Sequence, residues 1–284
     1  PWGLTFGVGA HTCLGRDLDG GVLPREDCDP ATHQYGIVPL FVRALFERGA
    51  RPDPEHPARL ARQAIREGRH TGSSRGLALG YVQCNLVILP RALAHDFLRF
   101  AHANPKPCPV IARLAPGQTD CPEFARDLDI RTDLGSYDVV RDGRIEQRKD
   151  IVELFNDRMV TFLVGSSTSF EGLLPMKGFR PRFLGTVQNT RVECRPVGRF
   201  HGKMAVTVRA FDPDMTDAVW EYTSHLPRVH GAPVGKNNWD ELGIDKDIDW
   251  WGQRISIPEG TDRLYWGCGV TPLQVALDAK LPFL

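Results

Sequence analysis

The chain has 284 residues, of which 42% are hydrophobic and 25% are charged, and its 35 basic side chains balance 35 acidic ones. This composition is typical of a folded globular protein and argues against a disordered, collagen-like or coiled-coil one. No apolar run reaches the ~20 residues of a membrane-spanning helix, and a nucleic-acid binder normally carries a basic excess, so neither class is expected.

The seven cysteines stand far apart and form no C-x-x-C pair, and the sequence shows no signal peptide. This pattern indicates reduced thiols rather than a disulfide framework, so we expect a cytoplasmic protein. Because the sequence begins at Pro1 instead of Met, we expect it to be a piece of a longer protein.

Residues 1–36 are rich in Gly, Asp and Pro and are predicted to form loops, whereas residues 37–48 have the apolar spacing of a helix. The segment RPDPEHP at 51–57 combines three prolines with mixed charge, as linkers do. We therefore place a domain boundary here, between residues 1–57 and residues 58–284.

Residues 58–67 and 93–103 are predicted to be helices, and residues 80–90 (GYVQCNLVILP) are predicted to be a strand. In the first half of that strand, alternation places polar side chains on one face, namely those of Tyr81, Gln83 and Asn85. The second half is apolar on both faces, as in a buried strand of a mixed or parallel sheet.

Residues 126–137 also alternate, which predicts a second strand. One face of that strand would carry four charged residues: Asp127, Asp129, Arg131 and Asp133. Residues 151–164 are predicted to be a helix, which runs into a turn of small residues at 165–171.

Three further elements are predicted near the C-terminal end of the sequence. Residues 204–211 should be a strand, and residues 214–225 a helix with an Asp N-cap. From Leu264 we expect a strand, a glycine turn and a helix that is capped by Thr271. Strands that alternate with helices indicate a mixed α/β fold.

Residues 6–15 fit the pattern F-G-x-G-x-H-x-C-x-G throughout. They resemble the haem-ligand loop of cytochrome P-450 monooxygenases, and the resemblance extends over about residues 1–56. It implies a Cys13 thiolate ligand to a haem iron and a His11 side chain that reaches a propionate. Because other haem-binding elements of such an enzyme are absent from the sequence, we interpret this part as a remnant of a longer monooxygenase fusion. A functional haem-thiolate fragment is the alternative.

Several segments carry a second resemblance, over residues 62–284. They include GYVQCNLVILP at 80–90, DLDIRTDLGSY at 127–137, FLVGSSTSFE at 162–171, RVHGAPV at 228–234 and YWGCGVTP at 265–272. In these segments the chain resembles the D-glutamate cyclase family, whose members are also described as hydro-lyases. The resemblance implies a mixed α/β fold with two intertwined subdomains and an inserted α+β part near 135–227. It also implies a cofactor-free lyase that converts D-glutamate into 5-oxo-D-proline and water.

That reaction needs a neutral amine, an activated carboxyl group and a cation for the other carboxylate. Arg131 and Arg209 are candidates for the cation, although Arg131 could instead pair with Asp129 and Asp133 in a structural network. The same two aspartates are candidates for an acid/base pair. His230 lies in a Gly/Pro turn and is the best single candidate for the base, with a purely structural histidine as the alternative.

The segment GCGVTP at 267–272 joins a strand to a helix start, where backbone N–H groups and the helix dipole could bind an anion. The dipole would also lower the pKa of Cys268 and make it a nucleophile, but we favour anion binding by Gly269 and Thr271. Glu171 is a further catalytic candidate. Candidates for substrate hydrogen bonds, with structural roles as the alternative, are Ser167, Tyr81, Gln83, Asn85 and Lys106.

The sequence departs from the family pattern at 188–191, 235–238 and 273–274. These departures favour a related substrate in a specialised pathway. We expect a small carboxylate-bearing ligand, no metal and no nucleotide, and we leave a homo-oligomer open. Besides the haem-thiolate fragment, a second alternative to a lyase is a non-catalytic binder of an acidic small molecule.

Overall fold

The computed structural model describes residues 56–125, 127–141 and 143–281. The predicted helix at 37–48 and the loop that carries His11 and Cys13 lie outside these ranges. Both therefore stay predictions, as does the domain boundary.

Helices and strands are mixed along the described chain, as predicted for the α/β class. The helices are α1 (Pro57–Arg66), α2 (Arg91–Ala103), α3 (Phe170–Met176), α4 (Thr216–Ser224), α5 (Trp239–Leu242) and α6 (Thr271–Asp278). The strands are β1 (Cys84–Pro90), β2 (Val110–Arg113), β3 (Tyr137–Arg141), β4 (Arg144–Arg148), β5 (Met159–Gly165), β6 (Phe183–Glu193), β7 (Lys203–Phe211), β8 (Gly235–Lys236) and β9 (Asp262–Gly267). Short 3-10 turns occupy Ser167–Ser169, Pro213–Met215 and Pro227–Val229.

These strands form two larger sheets and one hairpin. The three-stranded sheet has the order β1-β5-β2, the four-stranded sheet has the order β6-β7-β9-β8, and β3 pairs with β4. Every strand pair within the described residues is antiparallel, which corrects the expectation of a mixed or parallel sheet for residues 80–90. β1 is an edge strand, and only its Val87 and Leu89 are fully buried.

The four-stranded sheet is buried on both faces. On one face the main core joins it to the three-stranded sheet through residues such as Val206 of β7, Phe97 of α2 and Phe162 of β5. On the other face, Trp266 of β9 packs in a second core with Phe170 of α3. Burial on both faces explains why residues 204–211 form an almost continuous apolar run.

No strand forms over the predicted segment 126–137, whose described residues make consecutive turns until β3 begins. Local side-chain hydrogen bonds supply the reason. Asp129 Oδ1 accepts the N–H of Arg131 (2.9 Å), and Asp133 Oδ2 accepts the N–H of Asp129 (2.9 Å). Such bonds compete with strand pairing. The four charged residues of this segment therefore do not share a strand face, contrary to the prediction.

The predicted helix at 151–164 is also wrong. One turn at 151–155 is followed by Asn156, whose Oδ1 accepts the N–H of Arg158 (3.0 Å), and β5 begins at Met159. A short apolar run does not distinguish a buried strand from a buried helix. β5 is the central strand of its sheet and is buried along its whole length, so its sequence is apolar on both faces.

The remaining predicted elements at 58–67, 80–90, 93–103, 204–211, 214–225 and after 264 are found with shifted ends. The expected N-terminal caps of α4 and α6 are not found. No side chain caps α4, and the Thr271 hydroxyl accepts the N–H of Ala205 (3.0 Å) on β7 instead of capping α6. The predicted turn at 165–171 includes a 3-10 turn and the start of α3.

None of the helices described here is long and apolar enough to cross a membrane.

Candidate active site

A polar patch lies on the face of the four-stranded sheet that looks toward the second core. In the antiparallel register of β7 and β9, Thr207 lies opposite Trp266 and Arg209 lies opposite Leu264. Directly opposed residues point to the same face of a sheet, and so do residues two apart on one strand. Thr207, Arg209 and Trp266 are therefore neighbours, and Cys268 follows at the end of β9 on the same side.

Arg209 is the buried cation of this patch, with 1% of its surface exposed. Its Nη2 donates to the carbonyl of Ser167 (2.7 Å), and its guanidinium lies 5.5 Å from the ring centre of Phe170 and 5.7 Å from that of Trp266. Its Nη1 has no hydrogen-bond partner. Burial lowers the pKa of Arg209 to about 10. Because this value is still well above 7, the side chain stays charged at neutral pH.

His230 is the buried base of the site, with 1% of its surface exposed. Its Nδ1 lies 2.6 Å from the carbonyl oxygen of Lys106, and its Nε2 has no hydrogen-bond partner. Because a carbonyl only accepts, Nδ1 must carry the proton, which leaves a lone pair on Nε2. Burial lowers the pKa of His230 to about 4, the backbone groups of Lys106 and Gly165 oppose this shift, and the charges of Arg209 and Lys106 add to it. The imidazole is therefore a neutral base at pH 7.

Close backbone packing assembles the segments around His230. A Cβ on Gly165 would collide with the carbonyl oxygen of Arg228, and a Cβ on Gly267 would lie 2.9 Å from the backbone of Lys106. A Cβ on Gly269 would lie 2.8 Å from Oδ1 of Asn85. These glycines are needed for close approach rather than for a positive φ angle.

Cys268, Thr207 and Ser167 continue the polar patch. The Ser167 hydroxyl donates to Oγ1 of Thr207 (3.3 Å), and Thr207 lies close enough to Cys268 to act on the pKa of its thiol. Burial raises the pKa of Cys268, although the bonds from Thr207 and the Val270 backbone act in the opposite direction. The pKa of Cys268 is therefore shifted opposite to the expected lowering, because desolvation outweighs the opposing hydrogen bonds. The nucleophilic role of Cys268 stays a prediction.

Glu171 lies beside the patch but is already paired. It forms an ion pair with Nε of Arg75, whose other nitrogens donate to the carbonyls of Gly185 (2.9 Å) and Leu184 (2.6 Å). The charge of Glu171 raises the pKa of Arg209, so the carboxylate acts on the site electrostatically. Sequence reasoning missed Arg75, because a single arginine in an irregular loop carries no pattern.

Asp129, Arg131 and Asp133 are not brought to this patch. Asp129 binds its neighbour Arg131 through two hydrogen bonds (3.0 and 2.8 Å), and Asp133 pairs with Arg66 of α1. The buried carboxylate of Asp133 also lies 3.7 Å from Nε of Arg62. The ion pairs of Asp133 fasten α1 to the loop that precedes β3, whereas Arg131 pairs with its neighbour Asp129. The predicted alternative, a network of Arg131 with both aspartates, is therefore found for Asp129 but not for Asp133.

Two of the four remaining candidates lie at the site. Asn85 contacts Gly269, and Lys106 donates from Nζ to the carbonyl of Ala232 (2.6 Å), two residues after His230. Gln83 is used structurally, since its Nε2 donates to the carbonyl of Leu77 (2.7 Å). Tyr81 is 40% exposed and precedes β1.

Thr207 and Trp266 belong to the patch although the sequence did not single them out. The alternation of residues 264–268 could have indicated Trp266, because it shares a strand face with Cys268. Within the described ranges, no group of three or more His, Cys, Asp or Glu side chains is arranged to hold a metal ion.

The patch falls within the region that matches a known family. Residues 160–284 match the model of the family described as D-glutamate cyclase. A protein named "Putative hydro-lyase" from Methylobacterium sp. (strain 4-46) is 41% identical over 242 residues, which cover 81% of this chain and 90% of that protein. Another of that name from Staphylococcus carnosus is 41% identical over 229 residues, with 77% and 86% covered. A third, from Xanthobacter autotrophicus, is 39% identical over 230 residues, with 78% and 83% covered.

Proposed function

The chain belongs to the D-glutamate cyclase family, and on that premise we propose that it is a hydro-lyase that closes D-glutamate to 5-oxo-D-proline with release of water. One observation carries the proposal. A neutral base, Nε2 of His230, and a cationic donor, Nη1 of Arg209, are both buried and both lack a hydrogen-bond partner, and the charge of Arg209 reaches the imidazole and lowers its pKa. Buried polar groups are normally satisfied, so unpaired ones of complementary chemistry favour a ligand with an ammonium and a carboxylate group.

In the proposed reaction, His230 Nε2 takes a proton from the substrate ammonium and frees the amine lone pair. The amine attacks the side-chain carboxylate carbon, and Arg209 stabilises the negative charge on the oxygens of that carbon. A C–N bond forms and one C–O bond breaks. Two ammonium protons leave with that oxygen as water, and His230 carries them, so the imidazole returns to its neutral form.

Lys106 favours a substrate with two carboxylates. It is a second cation close to His230, because its charge lowers the pKa of the imidazole. Burial also lowers the pKa of Lys106 itself, and its side chain is fixed by the carbonyl of Ala232. Arg209 would hold the carboxylate that reacts and Lys106 the one that does not. We expect no redox cofactor, because the reaction changes no oxidation state.

The test is incubation of the protein with D-glutamate and a panel of small amino and hydroxy acids, with loss of water followed by mass spectrometry. His230→Asn should lower kcat by about 100-fold or more, because the base is lost. Arg209→Lys should lower kcat/KM by about 100-fold, because a lysine cannot present the same fork of donors.

Matched controls are His225→Asn and Arg148→Lys, which change a surface hydrogen bond with Glu221 and a surface ion pair with Glu146. Both controls should keep wild-type rates. Absence of water loss from every panel member, with folded wild-type protein, would contradict the proposed function.

A further inference from the structure

Trp266 carries a third unpaired polar atom in the same patch. Its side chain is 0% exposed, and its Nε1 has no hydrogen-bond partner. The ring packs between Phe170 (5.7 Å between ring centres) and Phe211 (6.4 Å). A buried indole N–H usually finds an acceptor, because its loss of solvation is otherwise uncompensated.

The indole lies beside the other unpaired donor of the patch. The guanidinium carbon of Arg209 is 5.7 Å from the centre of the Trp266 ring, and the two side chains are diagonal neighbours on β7 and β9. Nη1 of Arg209 and Nε1 of Trp266 are thus two buried N–H donors, held on rigid strands, with no acceptor of their own. A ligand group that accepts at two atoms and donates at none matches them.

We propose that Trp266 and Arg209 together bind the reacting carboxylate and that this pair selects a carboxylate over a carboxamide. This inference rests on the proposed function, because the group bound here is the one that closes the ring. A carboxylate accepts from both donors. A carboxamide presents one acceptor and one NH₂ group, and the NH₂ group would face a donor. Ring closure of an amide substrate would release ammonia, whereas ring closure of a carboxylate releases water. By selecting the carboxylate, Trp266 and Arg209 therefore determine that water is the molecule that leaves.

The decisive variant is Trp266→Phe, which keeps an aromatic ring beside Arg209 and removes the N–H. We would measure Kd by calorimetry and kcat and KM by product formation, for D-glutamate and for D-glutamine. The affinity for D-glutamate should fall by about 10- to 100-fold, since a hydrogen bond to a charged group is lost, while the affinity for D-glutamine should change little. The preference for acid over amide should fall by the same factor.

Trp220→Phe is the matched control, because Trp220 packs against the same core from α4. It should leave both affinities at the wild-type value. If Trp266→Phe does not fold, Trp266→Leu also removes the N–H without adding a donor and should show the same loss of preference.

The outcomes separate the two proposals. If the wild type forms product and Trp266→Phe keeps the wild-type preference, the inference about Trp266 is overturned while the hydro-lyase function stands. If the wild type binds D-glutamate with the predicted dependence on Trp266 but forms no product, the binding inference stands without the proposed reaction. If the wild type does not bind D-glutamate, both are overturned.

Discussion

The backbone of His230 adopts the left-handed conformation, with φ 85°, directly before Gly231 at φ 68°. For a residue with a Cβ, an unfavourable backbone conformation costs on the order of 1–3 kcal/mol. The hydrogen bond from Nδ1 to the Lys106 carbonyl holds the ring in this position and fixes its tautomer. A strained backbone that presents an unpaired, neutral nitrogen is typical of a functional residue rather than of a packing one.

Burial of His230 should make folding depend on pH. Its pKa falls from 6.5 to about 4 in the folded chain, so between these values the unfolded chain binds a proton that the folded chain does not. The free energy of unfolding should therefore decrease as the pH falls from about 6.5 to about 4, by up to about 3 kcal/mol.

Urea unfolding of the wild type and of His230→Asn at about pH 7 and pH 5 measures this contribution. Asparagine tolerates the left-handed conformation, and its amide can donate to the Lys106 carbonyl. The wild type should lose about 2 kcal/mol more than the variant between the two pH values. Equal losses in the two proteins would show that His230 is not held neutral in the folded state.

At the scale of elements, the end of β9 and the segment at 104–109 meet at a glycine. Gly267 allows the backbone of Lys106 to approach β9, and the Lys106 carbonyl is the group that orients His230. Gly267→Ala should push this backbone away, because the new Cβ would lie 2.9 Å from it. A displacement of about 1 Å at a catalytic group can lower a rate about 100-fold.

We expect Gly267→Ala to lower kcat by about 100-fold while the protein stays folded, as judged by circular dichroism and water-loss assays. Gly252→Ala is the control, because that glycine has φ 81° and a methyl group added to it would meet no neighbouring atom within 4 Å. Gly252→Ala should keep the wild-type kcat, because it adds a methyl group that displaces no neighbouring backbone. Wild-type kcat in Gly267→Ala would show that the Lys106 carbonyl does not position the base.

Helix α1 illustrates how charged residues that suggest a site can serve the fold instead. Arg62 and Arg66 of α1 reach Asp133, whose side chain is fully buried, and Arg66 Nη2 donates to it at 2.6 Å. Breaking such a pair would leave buried charge without a partner. We therefore assign these residues to the attachment of α1.

At the scale of the whole molecule, the patch forms where segments from both larger sheets meet. Ser167 follows β5 of the three-stranded sheet, whereas Arg209 and Trp266 stand on β7 and β9 of the four-stranded sheet. His230 comes from the loop after α4. The site thus combines strands of the four-stranded sheet with segments that follow β5 and α4 in the chain.

Periodicity predicted the elements whose patterns are long and regular, such as α2 and β7. It failed at 127–136, where aspartate side chains bond to the backbone, and at 151–164, where a buried central strand has the same apolar composition as a helix. Both failures have tertiary or side-chain causes that a periodic pattern does not contain.

The site was predicted in part, because chemistry-bearing residue types could be named without their neighbours. His230, Arg209, Ser167 and Cys268 do come together, but only the fold shows that burial makes His230 neutral and raises the pKa of Cys268. Trp266 was missed because a tryptophan in an apolar strand normally belongs to the core. Its unpaired Nε1 is visible only once its surroundings are known.

The most direct measurement uses D-glutamate labelled with ¹⁸O at both side-chain carboxylate oxygens. The wild type should release one labelled oxygen as water and retain the other in the lactam, whereas His230→Asn should form product at least about 100-fold more slowly. A lactam that retains no label, or equal rates in the two proteins, would contradict ring closure at the side-chain carboxylate by His230.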